Sequence, residues 1–220
     1  MRESFEEHIK GLNAEVVAMG EMVALATSRS VEALGSRDIE KAKQIINDDL
    51  LVNKKRWQIE EKSINLIALQ QPVATDLRDI IAVLNIVTEL ERMGDYAEGI
   101  AKIVIMLGSD PLVRPLIFIP KMAEKANSML KRSMQALVNR DAKMANAICN
   151  EDDEVDKLYD EAYHDLLMRM IKDPSIISKV TPLIWATHNL ERIADRVTNI
   201  CERIIFLATG SMPQVNVSKY

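Results

Sequence analysis

Apolar residues recur at spacings of three and four along nearly the whole chain, and almost no segment alternates at period two, so the pattern predicts an all-α protein. A first helix starts after Ser4, which with Glu7 makes a capping box, and runs to about Leu34 before Gly35-Ser36 stops it. A second opens near Asp38 and continues to about Leu69, where Gln70-Gln71-Pro72 breaks it. The third spans about Val73 to Leu107 and ends at Gly108. The stretch SDPLVRPLIFIP, with three prolines, reads as a linker. Beyond it a fourth helix covers roughly Lys121 to Val138, a fifth Asp141 to Ile171 before Asp173-Pro174, and a sixth about Ile176 to Ala208 before Gly210. The expected organisation is two tandem three-helix bundles: residues 1–108, a linker at 109–120, residues 121–210, and a tail at 211–220 without periodic signal.

An internal repeat supports the division. Leu90, Glu91, Arg92, Asp95, Ile100, Ile105 and Leu107 recur at a constant offset of 100 as Leu190, Glu191, Arg192, Asp195, Ile200, Ile205 and Leu207. Upstream, Asp49 with Val52-Asn53 matches Asp152 with Val155-Asp156 once about three extra residues are allowed. The apolar matches are what any two core helices share; the repeated Glu, Arg and Asp are harder to ascribe to packing.

Helical geometry then places the acids. The sixth helix has the stripe Leu190, Ile193, Ala194, Val197, Cys201, Ile204 and Ala208, and at about 100° per residue Glu191 and Asp195 fall away from it, with His188, Asn199 and Glu202. In the third helix Leu90, Met93, Ala97, Ala101 and Val104 point inward and Glu91, Asp95 and Glu98 outward. Asp152 and Asp156 flank the stripe Val155, Tyr159, Ala162 and Leu166 of the fifth. Paired carboxylates four residues apart repel each other unless a cation lies between them, and oxygen ligands suit Mg²⁺, Ca²⁺, Mn²⁺ or iron. The alternative is a solvated acidic face, since 33 of 220 residues are Asp or Glu and Arg92 or Arg192 can pair within its own helix.

Composition narrows the classes further. Only seven glycines and nine aromatics argue against a fold of many turns or glycine loops. A net charge of −5 argues against nucleic acid as a partner. No run approaches the ~18 apolar residues of a membrane span, and the acidic start of the chain lacks the basic and apolar parts of an export signal, so a cytoplasmic location is expected. Cys149 and Cys201 have neither metal-type nor redox-type spacing and read as reduced, buried thiols. Three histidines, His8, His164 and His188, make a histidine-rich zinc site improbable. Glu161-x-x-His164 matches a di-metal oxidase pair once, without a second copy, and points away from Asp152 and Asp156. Gln70, Gln71, Asp76 and Arg78 lie at the second interhelical loop, where either function or a helix start at Thr75 or Asp76 would account for them.

The runs ALQQPVATDLR (68–78), LERMGDYAEGI (90–100) and LERIADRVTNICERI (190–204) resemble the PhoU family of bacterial and archaeal phosphate-transport regulators, and the similarity extends to about Gly210. The resemblance implies two similar three-helix bundles in a cytoplasmic, often dimeric protein. It implies a negative regulator of phosphate uptake and of the phosphate regulon, acting between the ATPase subunit of the phosphate ABC transporter and a phosphate-sensing histidine kinase. It further implies metal, iron or zinc with magnesium or manganese as alternatives, held by paired acids. Those motifs fall on Glu91 with Asp95, Asp152 with Asp156, and Glu191 with Asp195. Asp49 is in place in the second helix, but Asn53 stands where a second acid is usual, and Gly99 stands opposite Asn199, so the first-half site is expected to be the weaker. A non-enzymatic regulator is the reading adopted, against a carboxylate di-metal enzyme or a helical adaptor without metal.

Overall fold

A computed structural model describes residues 2–109 and 116–211, and no strand occurs among them. Seven α-helices do: α1 (Arg2–Ser36), α2 (Ile39–Gln70), α3 (Thr75–Leu107), α4 (Phe118–Asn139), α5 (Ala142–Cys149), α6 (Asp152–Lys172) and α7 (Ile177–Thr209), with a 3₁₀ turn at Pro174–Ile176. Helices α1 to α3 form one bundle, and α4, α7 and the α5–α6 pair form the second, similar one.

The differences from expectation are local. Helix α1 already begins at Arg2, so Ser4 is inside it, and the Ser4 side chain of the expected capping box lies outside the described residues. Helix α4 starts at Phe118 rather than Lys121; Pro120 is tolerated because amides of a first turn have no intrahelical acceptor. The largest correction is the fifth expected helix, which is two. Asp141 caps α5 by accepting from Met144 N at 2.9 Å, α5 stops at Cys149, and α6 restarts at Asp152 with Asp152, Asp153 and Glu154 in its first turn. Three acids there favour a helix N-terminus, where the peptide dipoles place positive potential. The tail at 212–220 and half of the predicted linker, residues 110–115, lie outside the described residues.

One continuous apolar core runs through both bundles. The most extensive packing between helices joins α3 to α7, across the halves, and α1 lies on α4 in the same way. Both contacts have the reciprocity of a twofold dimer, in which residue i meets j and j meets i. Asn199 of α7 donates to Glu89 of α3 at 3.0 Å, while at the exchanged positions Gly99 of α3 faces Asn189 of α7. Asn127 of α4 donates to the Ala24 carbonyl of α1 at 3.1 Å. A Cβ on Gly99 would stand 2.9 Å from Asn189 Nδ2, so a glycine there permits the close crossing. That reverses the expectation for Gly99: it is a residue of the interface between the halves and not a missing ligand.

The loop before α3 is held by its neighbours rather than by a capping side chain. Ala74 precedes the helix at φ 50° and ψ −112° with no side-chain cap, and Thr75 is already the first helical residue. Arg78 reaches over the Phe206 ring at 5.4 Å from its centre, fastening the start of α3 to the end of α7.

Candidate functional site

The expected acids assemble into two clusters, one per half. In the first, α2 supplies Asp49 and α3 supplies Glu91 and Asp95, joined by Glu98. In the second, α6 supplies Asp152 and Asp156 and α7 supplies Glu191 and Asp195. Each cluster lies between a pair of packed helices. Glu161 and His164, by contrast, are exposed on α6.

Burial is where the structure departs most from the helical wheel. Glu191 was expected to face outward, yet it is only 8% exposed. The polar side of α7 is covered by α6, whose own acids turn toward it, so the apolar stripe marks only part of the buried face. Asn199 likewise faces α3 rather than solvent. Among the predicted acids Asp95 is exposed, while Asp49, Glu91, Asp152, Asp156 and Asp195 are half-buried.

Proton affinities follow from this crowding. Loss of water, and then the charges of Asp156, Asp195 and Glu191, push Asp152 up to about 7. Burial, followed by Asp195, raises Glu191 to about 7. Asp156 is raised by burial and by Asp195. In the first half, burial and then Asp95, Glu98 and Glu91 raise Asp49 to about 6, and Asp95 is raised by burial and by Glu91.

Partners separate the two clusters. Asn53 donates from Nδ2 to Asp49 Oδ2 at 2.7 Å, and Arg56 sits 2.9 Å from Glu91 Oε1. Lys102 pairs with Glu98 at 2.6 Å. Gly94 brings the helices together at this point, since a Cβ there would lie 3.1 Å from Asp49 Oδ1 and 3.2 Å from Val52. In the second half, Asn53 is replaced by Asp156 and Arg56 by Tyr159, following the same offset that joins Asp49 to Asp152. Arg192 reaches Asp195 at 3.3 Å. Asp152 Oδ1 and Glu191 Oε2, however, are buried with no hydrogen-bond partner. His188, exposed as expected, stands on the rim of the cluster with Nδ1 3.5 Å from that Glu191 oxygen, and Arg192 Nε lies 3.9 Å from it.

This donor set fits a cation. Buried carboxylate oxygens without donors are costly, and an oxygen-preferring metal supplies what the protein does not. Among the described residues no three His, Cys, Asp or Glu side chains are already gathered tightly enough to hold one ion, so binding requires the carboxylates to rotate inward. Asp152, Asp156, Glu191 and Asp195 are the residues that would hold it. The first-half set already has Asn53 and Arg56 in place of a cation.

The turn that leads into Asp152 is itself fixed. Glu151 accepts from Arg132 NH1 at 2.7 Å and lies 2.8 Å from Lys125, and the Arg132 hydrogen bond leads in holding its carboxyl down at about 2. Arg29 and Asp48, at 2.7 Å, are the equivalent pair in the first half. Neither pair was identified from the sequence. An alignment of the halves carried upstream of Asp49 would have shown both.

Comparison with known proteins agrees with the duplicated architecture. The family model described as PhoU domain matches twice, at residues 16–104 and 119–204. The chain is 39% identical over 216 residues to a phosphate-specific transport system accessory protein PhoU homolog of Clostridium acetobutylicum, covering 98% of this chain and 99% of that protein. A Rhizobium meliloti homolog of the same name is 36% identical, covering 96% of this chain and 90% of its own. The crystal structure of the phosphate transport system regulatory protein PhoU from Streptococcus pneumoniae superposes with a TM-score of 0.89 at 32% identity, covering 96% of this chain and all of that one. PhoU from Pseudomonas aeruginosa gives 0.88 at 32% identity, covering 94% of this chain and all of that one. With the duplicated domain and near-complete coverage in agreement, the chain belongs to the PhoU family.

Proposed function

We propose that this chain is a cytoplasmic, non-enzymatic negative regulator of phosphate uptake and of the phosphate regulon. It acts as an adaptor between the ATPase subunit of the phosphate ABC transporter and a phosphate-sensing histidine kinase. The observation that carries this reading is likeness over nearly the full chain, at 39% identity, to a protein named as an accessory of phosphate-specific transport. No helix among the described residues is long and apolar enough to cross a membrane, in keeping with a protein that attaches to a transporter rather than forming part of its pore.

A metal ion, iron or zinc or alternatively magnesium or manganese, binds the second-half cluster through Asp152, Asp156, Glu191 and Asp195. The buried oxygens of Asp152 and Glu191 that accept no hydrogen bond favour it there. Because these acids lie between α6 and α7, the ion would act as a clamp on helix positions, which suits a regulator better than an exposed docking face would. For the first half the metal-free reading is favoured by Asn53 and Arg56.

The adaptor works as a homodimer. Helix α2 shows a stripe of Leu50, Trp57 and Ile64, each more than half exposed and seven residues apart. Antiparallel pairing centred near Trp57 would set Lys54 of each copy against Glu61 of the other, two residues with no ion pair within the chain among the described residues. Deletion of the protein should raise phosphate-regulon expression in phosphate-rich medium, with co-purification of the ATPase subunit and the kinase in the wild type. Unchanged expression would exclude the regulatory role, and a monomer by sedimentation at micromolar concentration would exclude the dimer.

A further inference from the structure

Helix α5 ends at Cys149, which is half-buried, and Cys201 is fully buried in α7. The packing of α5 on α7 carries Cys149 Sγ to 3.9 Å from the Thr198 carbonyl oxygen, one helical turn before Cys201. That contact brings the Cys149 thiol beside the Cys201 side chain, one turn further along α7. Residues that the sequence keeps far apart therefore form a dithiol pair, one member reachable from solvent and the other screened behind it. The neighbouring Cys201 thiol holds Cys149 below its ordinary value, and Cys149 together with burial pushes the Cys201 thiol up. The outer sulfur is thus the better nucleophile.

We propose that Cys149 and Cys201 are a redox-modification site, closing to an intramolecular disulfide when the chain meets a hydroperoxide. The Cys149 thiolate attacks one peroxide oxygen; the O–O bond breaks, a sulfenic acid forms at Cys149, and the leaving oxygen takes a proton to become water or an alcohol. The Cys201 sulfur then attacks the sulfenyl sulfur, the S–S bond forms, the S–O bond breaks, and water leaves with the Cys201 proton. The two thiols lose two electrons in total and the peroxide gains them. A thiol reductant reverses the product.

The cross-link has a defined mechanical result. It ties the last residue of α5 to α7, and only Asn150 and Glu151 separate that residue from the start of α6. The step from α5 to α6, held in the dithiol form by the pairing of Glu151 with Arg132 and Lys125, gains a covalent tie to α7. Nothing in this step depends on a metal.

Titration of the full-length chain with hydrogen peroxide, followed by alkylation and intact mass, tests the assignment. The expected result is a loss of about 2 Da that dithiothreitol reverses. A non-reducing tryptic digest should then join peptide 144–157 to peptide 197–203. Cys149→Ala, at the half-buried position, should abolish both signals, and Cys201→Ala should leave Cys149 to gain oxygen without a cross-link. Reaction of the native chain should also outpace that of the urea-unfolded chain. Oxygen addition without the cross-linked peptide in the wild type, a cross-link only between separate chains, or equal rates folded and unfolded would overturn it.

Discussion

The two acidic clusters are built on the same helical frame and differ in what neutralises them. In the first half Asn53 and Arg56 stand at the positions of Asp156 and Tyr159, so each of two half-buried acids, Asp49 and Glu91, has a donor from the protein. In the second half the same frame holds a further carboxylate and no arginine at that point; two oxygens are left buried without a hydrogen-bond donor, with Arg192 Nε no nearer than 3.9 Å to that of Glu191. A duplicated scaffold has thus solved one problem, crowded carboxylates between packed helices, by internal pairing in one copy and by leaving room for an external cation in the other. Two of the substitutions behind the divergence lie on α2 and its counterpart α6: Asn53 against Asp156 and Arg56 against Tyr159.

The largest expected effect comes from exploiting that difference. Glu191→Gln with Asp195→Asn should reduce metal retained after purification without chelator or affinity metal by more than about tenfold, or about 1.4 kcal/mol. Asp49→Asn with Asp95→Asn should leave it nearly unchanged. Exchange sharpens the point: Asn53→Asp with Arg56→Tyr should confer a second bound ion per chain, read by elemental analysis. Equal losses from both double variants would show that the clusters are not functionally distinct, and unchanged metal in the Glu191 variant would remove the assignment altogether.

The frame of this comparison was legible in the sequence, because a constant offset of 100 places Glu91 with Glu191 and Asp95 with Asp195. Six helical segments and the acids at their equivalent positions follow from periodicity alone. What a wheel lacks is the identity of the covering helix: Glu191 is off the apolar stripe of α7 and buried all the same, because α6 lies over it. Gly99 was misread for the same reason, since its neighbour Asn189 belongs to a helix 90 residues away in sequence. The break after Cys149 carries no proline or glycine, and its only local signal is the acid run Glu151 to Glu154, which a continuous amphipathic pattern masked. Proximity of the two cysteines had no local signal at all.

The clusters should also give the metal-free chain an unusual pH response. Asp152 and Glu191, at about 7, and Asp49, at about 6, bind protons more tightly folded than unfolded, where the ordinary values are 3.8 and 4.5. Their favourable contribution is therefore complete near pH 4 and is lost as pH rises toward about 7. Thermal melts with chelator should show a higher midpoint near pH 5 than near pH 8. Asp152→Asn with Glu191→Gln should flatten most of that slope and Asp49→Asn less of it, while saturating metal should suppress the wild-type slope at the alkaline end. A midpoint that climbs with pH across this window would contradict the burial of unpartnered acids.

The smallest expected effect tests whether the frame beneath the second cluster is the firmer one. Arg132 holds Glu151 through two nitrogens with Lys125 adding a third contact, whereas Arg29 meets Asp48 through one, at a half-exposed carboxylate. Forked, partly buried pairs contribute more than single surface pairs. Arg132→Ala should cost about 1–2 kcal/mol and Arg29→Ala about 0.5 kcal/mol, a difference visible as a few degrees between their melting midpoints. The position of Glu151 gives the test a second readout. It immediately precedes Asp152, so release of the turn should weaken metal retention in the Arg132 variant and leave it intact in the Arg29 variant. Equal stability losses with metal retained in both would mean that the ion pair fastens the turn without positioning the acids that follow it.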